Sequence, residues 1–215
     1  MAFDIHQQVF DRDGVPLEKK AQKYREQLME LFVQSPEGQA LRQEDIEPGW
    51  ADMLLDFSIN YLSVTPPQMT AGDLREVLFE LFPRKVSTTP DEAEGIVREF
   101  RAFWTFMQRE FQLANAAECL KTLDEKAARR LKKELDNPAN FGIAKSFVMM
   151  GLQRGFDLSS EESINEWMET YNAELAAGGP HIPLPGEQSA SATRFHNQLQ
   201  PRAGGKKRKK NRKRR

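Results

Sequence analysis

The chain has 215 residues, with 31 Lys plus Arg against 32 Asp plus Glu, a near balance that conceals a strong segregation. Nine of the ten residues from Lys206 to Arg215 are basic, and removing them leaves 22 cations against all 32 carboxylates, so a body of about −10 precedes a tail of +9. With 39% apolar residues, 14 Phe and 3 Trp, wholesale disorder is excluded; no apolar run approaches the roughly 18 residues of a membrane span, and the opening MAFDIHQQVFDRDG has neither region of an export signal.

Leu and Ala outnumber Val and Ile, which favours helix because β-branched side chains lose more rotamer freedom there. The segment 1–16 is expected to be weakly structured, its faint alternation from Ile5 to Phe10 being the one β candidate. Three- and four-residue steps through Ala21, Tyr24, Leu28, Leu31 and Phe32 predict a first helix from Leu17 to Val33. Ser35-Pro36-Glu37 supplies a cap and an N1 proline for a short helix towards Ile46, ended by Pro48-Gly49, and Trp50 to Leu62 reads as another. Thr70 is placed to cap a helix carrying Leu74, Val77, Leu78, Leu81 and Phe82, which Pro83 is expected to stop.

Thr89-Pro90-Asp91-Glu92 has the order of a capping box. Behind it Ile96, Val97, Phe100, Phe103, Trp104, Met107 and Phe111 form one apolar stripe, predicting a long core helix. Arg98-Glu99-Phe100 and Arg109-Glu110-Phe111 repeat eleven residues apart on that helix, and read as amphipathic patterning with exposed ion pairs. Two shorter helices are predicted over Leu113 to Leu123 and Glu125 to Leu135. Phe141 to Leu152, apolar on almost every side, predicts a central helix surrounded by others. Gly155 with Phe156 suits a Schellman ending, and Ser159 with Glu162 a capping box opening a final amphipathic helix through Ile164, Trp167, Met168, Tyr171 and Leu175. The fold class is therefore all-α: a single multi-helix domain over 17–177, a flexible linker over 178–205 and a disordered, strongly basic tail over 206–215.

Chemistry-bearing motifs are sparse. The three histidines, His6, His181 and His196, share no metal-ligand spacing, and there is no GxGxxG, GxxxxGK[ST] or GxSxG; no metal, cofactor or catalytic residue is assigned. The single cysteine, Cys119, reads as a small buried side chain. Asp91-Glu92-Glu94 and Glu161-Glu162 sit in first helical turns, where a carboxylate favours the positive end of the dipole. Lys145 stands in the middle of the most apolar helix and must reach solvent or pair with a carboxylate. Its alternative is a base of lowered pKa, with the neighbouring Ser146 about 100 degrees away around the helix.

The tail cations Lys206, Lys207, Arg208, Lys209, Lys210, Arg212, Lys213, Arg214 and Arg215 repel one another and attract any polyanion. If all nine met phosphates of a single strand, log K would fall by about six per decade of salt. No aromatic residue lies within the tail to stack on bases. The linker gives the tail a reach of roughly 30 Å, enough to fold back on the acidic body.

The strings Phe82-Pro83-Arg84-Lys85-Val86, Phe103-Trp104, Asn140-Phe141-Gly142-Ile143-Ala144-Lys145-Ser146 and Trp167 to Asn172 resemble a group of uncharacterised bacterial all-helical proteins. Some of these end in a SEC-C element, a Cys-rich zinc module finishing in a GSGKKYKKC-like run. Gly204-Gly205-Lys206-Lys207 keeps the glycine-lysine flavour but none of the cysteines, so zinc is not carried over. The resemblance implies a bacterial, cytoplasmic helical domain and brings no catalytic residue.

The expectation is a cytoplasmic protein, nuclear if the source cell has a nucleus, without membrane association. Its leading function is a non-enzymatic module that binds RNA or DNA without sequence preference through the tail, while the acidic helical body engages a protein partner. The alternative is protein–protein interaction with the tail as solubiliser or intramolecular strap, and the third an enzyme centred on Lys145.

Overall fold

A computed structural model describes residues 3–179 and 182. Among these the chain forms nine helices and no strand. They are α1 (Glu18–Gln34), α2 (Pro36–Gln43), α3 (Trp50–Leu62), α4 (Ala71–Glu76, continued through a π-helical Val77–Leu81 into Phe82–Lys85), α5 (Ala93–Phe111), α6 (Ala116–Thr122), α7 (Glu125–Asp136), α8 (Ile143–Gln153) and α9 (Glu161–Ala176). No helix among the described residues is long and apolar enough to cross a membrane.

The local signals that place these helices are visible as bonds. Ser35 Oγ accepts from the Gly38 N–H and Pro36 opens α2. Thr70 and Asp73 form a reciprocal capping box on α4, and Asp124 accepts from the Lys126 and Ala127 N–H groups at the start of α7. Each such cap stabilises its helix by about 1 kcal/mol. Thr89 departs from expectation: its side chain caps nothing, because Pro90–Glu92 forms a 3-10 turn ahead of α5 and Asp91 turns outward to Lys132. The last helix is capped by Ser160, whose Oγ accepts from Ser163 N–H, while Ser159 N–H is held by Asp157.

The apolar stripe of α5 is the centre of the core. Ile96, Phe100, Phe103, Trp104 and Met107 are inaccessible to solvent, and α2, α3, α6 and α7 pack around them. Phe32 meets Phe103 edge-on at 5.3 Å, and Phe82 links Phe100 to Phe57 at 5.4 and 5.5 Å. Such pairs are worth about 0.5–1.5 kcal/mol beyond the area they bury. The eleven-residue echo divides here. Arg98 pairs with Glu44 and Arg109 with Glu37 and Glu110 at the surface, but Glu99 is fully buried.

Residues 3–16 are more firmly held than their pattern suggested. Ile5 and Val9 lie in the core, the Tyr24 hydroxyl donates to the Ile5 carbonyl at 3.1 Å, and Phe3 packs on Tyr24 and Phe111. A lone bridge between Phe10 and Pro16 is all that comes of the β candidate. Burial against α1 and α5 orders the segment, and no local pattern encodes it.

Phe141 to Leu152 also departs from expectation. Helix α8 is not central: only Lys145 and Gly151 are buried, and Ile143 and Leu152 are nearly half exposed. The main core spans Ile5 to Leu135, and α8 pairs with α9 as an annex with its own aromatic cluster. Trp167, fully buried, donates from Nε1 to the Phe147 carbonyl at 3.0 Å. Phe147, Phe156 and Tyr171 surround it at centroid distances of 5.3, 5.3 and 5.5 Å. Gly151 permits this approach, since a Cβ there would lie 2.9 Å from Trp167. The Schellman ending at Gly155, with Phe156 N–H on the Gly151 carbonyl, forms as the glycine predicts. Beyond α9 the chain returns: Ile182 is buried and its N–H donates to the Tyr171 hydroxyl.

Candidate functional site

The junction between core and annex is built on an interrupted helix end. Pro83 has no N–H to donate and was expected to stop α4, yet the helix continues to Lys85. The π-helical Val77–Leu81 absorbs the conflict, with Phe82 N–H reaching back to the Val77 carbonyl. The helix then ends with carbonyls that need partners from elsewhere. Val86 N–H takes that of Phe82, Gly142 N–H takes that of Arg84 at 2.9 Å, and Lys145 Nζ takes that of Pro83 at 2.9 Å.

Gly142 is required there, because a Cβ would stand 2.9 Å from the Arg84 carbonyl oxygen. Lys145 places its cation at the negative end of the α4 dipole. The two strings Phe82–Val86 and Asn140–Ser146, far apart in sequence, thus meet at two consecutive carbonyls, those of Pro83 and Arg84.

The lysine does not reach solvent, and among the described residues it pairs with no carboxylate. It is 2% exposed, lies 4.1 Å over the Phe141 ring and makes one hydrogen bond with the three donors of an ammonium. Burial pushes its pKa down to about 8.

Beside it opens a cleft of about 860 Å³ between α3, the end of α4 and the 139–145 segment. Part of its lining is aromatic: Trp50, Phe57 and Tyr61 from one face of α3, together with Phe141. The cleft also carries Arg84 and Lys85, both exposed, with the Lys85 ammonium 4.3 Å over the Tyr61 ring. Among the described residues no carboxylate lines the cleft, and Arg84, Lys85 and Lys145 form no ion pair. The contrast with the rest of an acidic body is sharp. A shallow depression on α9 is lined by Glu161, Glu162, Glu166 and Glu169, and another, between α1 and α3, by Arg25 together with Asp52 and Asp56.

Glu99 is the buried charged group that sequence reasoning passed over. Its Oε1 accepts the Gly49 and Ala51 N–H groups at 2.8 and 2.7 Å, capping α3 from the middle of α5, while Oε2 has no partner among the described residues. Burial raises its pKa against the lowering effect of those backbone bonds. The signal was present: in a helix with apolar Ile96, Phe100 and Phe103, position 99 falls on the buried side. Cys119 is buried as expected, and burial pushes its thiol up to about 12, away from thiolate chemistry. The tail cations Lys206 to Arg215, with His181 and His196, lie outside the described residues.

No protein-family model, curated protein or solved structure matches this chain.

Proposed function

We propose that the chain is a non-enzymatic helical module that associates with RNA or DNA through its basic tail. The observation that carries this reading is charge segregation: nine cations in ten residues follow a body with ten more acidic than basic side chains. The net charge of the body repels a polyanion at long range, so the long-range attraction comes from Lys206–Arg215, and binding through them is electrostatic and blind to base sequence. Fluorescence anisotropy with labelled single-stranded RNA and duplex DNA tests it, comparing the full chain with one whose nine tail cations are changed to Gln. The expected result is tail-dependent binding that weakens steeply with salt. Equal binding by both chains, or none at low salt, overturns it.

A second reading, a protein partner for the helical body, is favoured by the annex. Ile164, Met168 and Leu175 of α9 are 37–44% exposed, with Leu152 of α8 at 48%. The third expectation, an enzyme centred on Lys145, finds an open cleft beside that residue. The capping of α4 accounts for the lysine without a reaction.

A further inference from the structure

We propose that the cleft between α3 and the α4–α8 junction binds a nucleoside phosphate, its base against the Trp50–Tyr61 wall and its phosphate on Arg84, Lys85 and Lys145. The site is independent of the tail, and the inference stands whether or not the tail binds nucleic acid.

Four observations converge on this ligand. At about 860 Å³ the cleft is large enough for a small molecule, within the roughly 300–1,000 Å³ usual for such sites. Its charge is selective: among the described residues three cations and no carboxylate line it, in a body where acidic side chains are in excess. Ion-pairing does not consume those cations: among the described residues none of the three is paired with Asp or Glu. Finally, the lining is also aromatic, and Tyr61, with the Lys85 ammonium over its ring, keeps 51% of its surface exposed. An exposed aromatic surface offers about 1–3 kcal/mol of stacking to a base.

Lys145 gives the strongest geometric argument. A buried ammonium with one hydrogen bond and a ring beneath it is underpaired, and a phosphate oxygen at the inner end of the cleft would supply the missing acceptors. Arg84 and Lys85, adjacent on the helix end whose Pro83 carbonyl Lys145 caps, are exposed and line the cleft, and can take the remaining oxygens. The basic tail cannot be the occupant, because its charge has the same sign as the lining.

The free nucleotide and a terminal residue of a single strand share this chemistry, and one experiment separates them. The full chain is titrated with AMP, inorganic phosphate, adenosine and a 5′-phosphorylated tetranucleotide, by calorimetry and by tryptophan fluorescence, with Trp50→Phe identifying the signal from the cleft. AMP is expected to bind about tenfold or more tightly than phosphate or adenosine alone. Arg84→Gln with Lys85→Gln, both at exposed positions and so neutral to folding by circular dichroism, should weaken AMP by about tenfold or more; Tyr61→Ala removes the stacking part.

A tetranucleotide that moves the Trp50 signal more strongly than AMP assigns the site to strand ends, and an AMP-only response assigns it to free nucleotide. Phosphate binding as well as AMP overturns the base-stacking half. No Trp50 response to any of the four, or undiminished AMP affinity in the double variant, overturns the site.

Discussion

Glu99 offers the sharpest test of how the core is assembled, because one carboxylate in α5 holds the first turn of α3. Replacing it with Ala removes the acceptor of two N–H groups, at Gly49 and Ala51, in a site without solvent. Hydrogen bonds to a charged group are worth about 1.5–3 kcal/mol each, and release of a buried charge offsets part of the loss, so Glu99→Ala should cost about 2–4 kcal/mol. Glu99→Gln keeps the carbonyl oxygen and removes the charge, leaving an amide where Oε2 had no partner; it should fall within about 1 kcal/mol of the wild type at neutral pH. The pH dependence has a definite sign. A carboxyl whose native pKa is raised keeps a proton that the unfolded chain has released. The stability it contributes is therefore complete below 4.5 and is lost as pH rises through the native value, so the Gln variant should gain on the wild type across that window. Urea unfolding at pH 4 to 8 reads all three chains, and with a slope of about 2–3 kcal/mol per molar the Ala variant's midpoint drops by about 1 M. A Gln variant as damaged as the Ala variant, or a wild-type-minus-Gln difference that ignores pH, would refute the account.

Three further expectations follow from the same geometry. Gly151→Ala drives a Cβ to 2.9 Å from Trp167 and should destabilise the annex by about 1–3 kcal/mol, less any gain in helix propensity. Hydrogen exchange should show α8 and α9 losing protection while α5 keeps it, and equal loss in both would mean that annex and core unfold together. Lys145→Met tests the buried ammonium: native deprotonation near pH 8 against 10.5 in the unfolded chain makes the wild type gain stability between those values, at up to about 1.4 kcal/mol per pH unit. The Met variant should lack that rise, as a difference between two denaturation series; parallel series would show that Lys145 is solvated. Cys119 should react with a thiol reagent at pH 8 at least about a hundredfold more slowly in the native than in the denatured chain. Comparable rates would place the sulfur at the surface.

The features legible in the sequence are those encoded within a few residues of themselves. Ser35 with Pro36, the Thr70 cap, Gly155 with Phe156 and the stripe from Ile96 to Phe111 all form as spacing predicts, because each depends on φ preferences, a short local bond or one helical face. What spacing could not show is which apolar face finds a partner. Phe141 to Leu152 has the composition of an enclosed helix, yet its neighbours are the end of α4 and α9, and Ile143 and Leu152 stay open. Residues 3–16 show the converse: a weak local pattern is ordered by Tyr24 and Phe111 from elsewhere in the chain. Glu99 combines both failures, since its role depends on the distant N-terminus of α3.

The cleft was half legible for a related reason. Lys145 drew notice as a cation in an apolar helix, but its partner was sought among carboxylates, and the structure supplies a backbone carbonyl instead. That carbonyl is free because it lies in the last turn of a helix that runs on past Pro83, the π-helical turn before it carrying the chain to Lys85. Arg84 and Lys85 therefore extend past the core at the point where α8 arrives. Without the turn, α4 would end at Phe82, and the carbonyls that hold Gly142 and Lys145 would have no fixed place. The interruption that defeats prediction from proline alone is thus the same feature that brings three cations to one aromatic wall. Its removal by Pro83→Ala should relax the π-helical turn towards regular helix and displace Arg84 and Lys85 from the cleft. The outcome to measure is AMP affinity alongside stability: affinity falling while stability holds or rises ties the cleft to the strained helix end, whereas unchanged affinity would break that link.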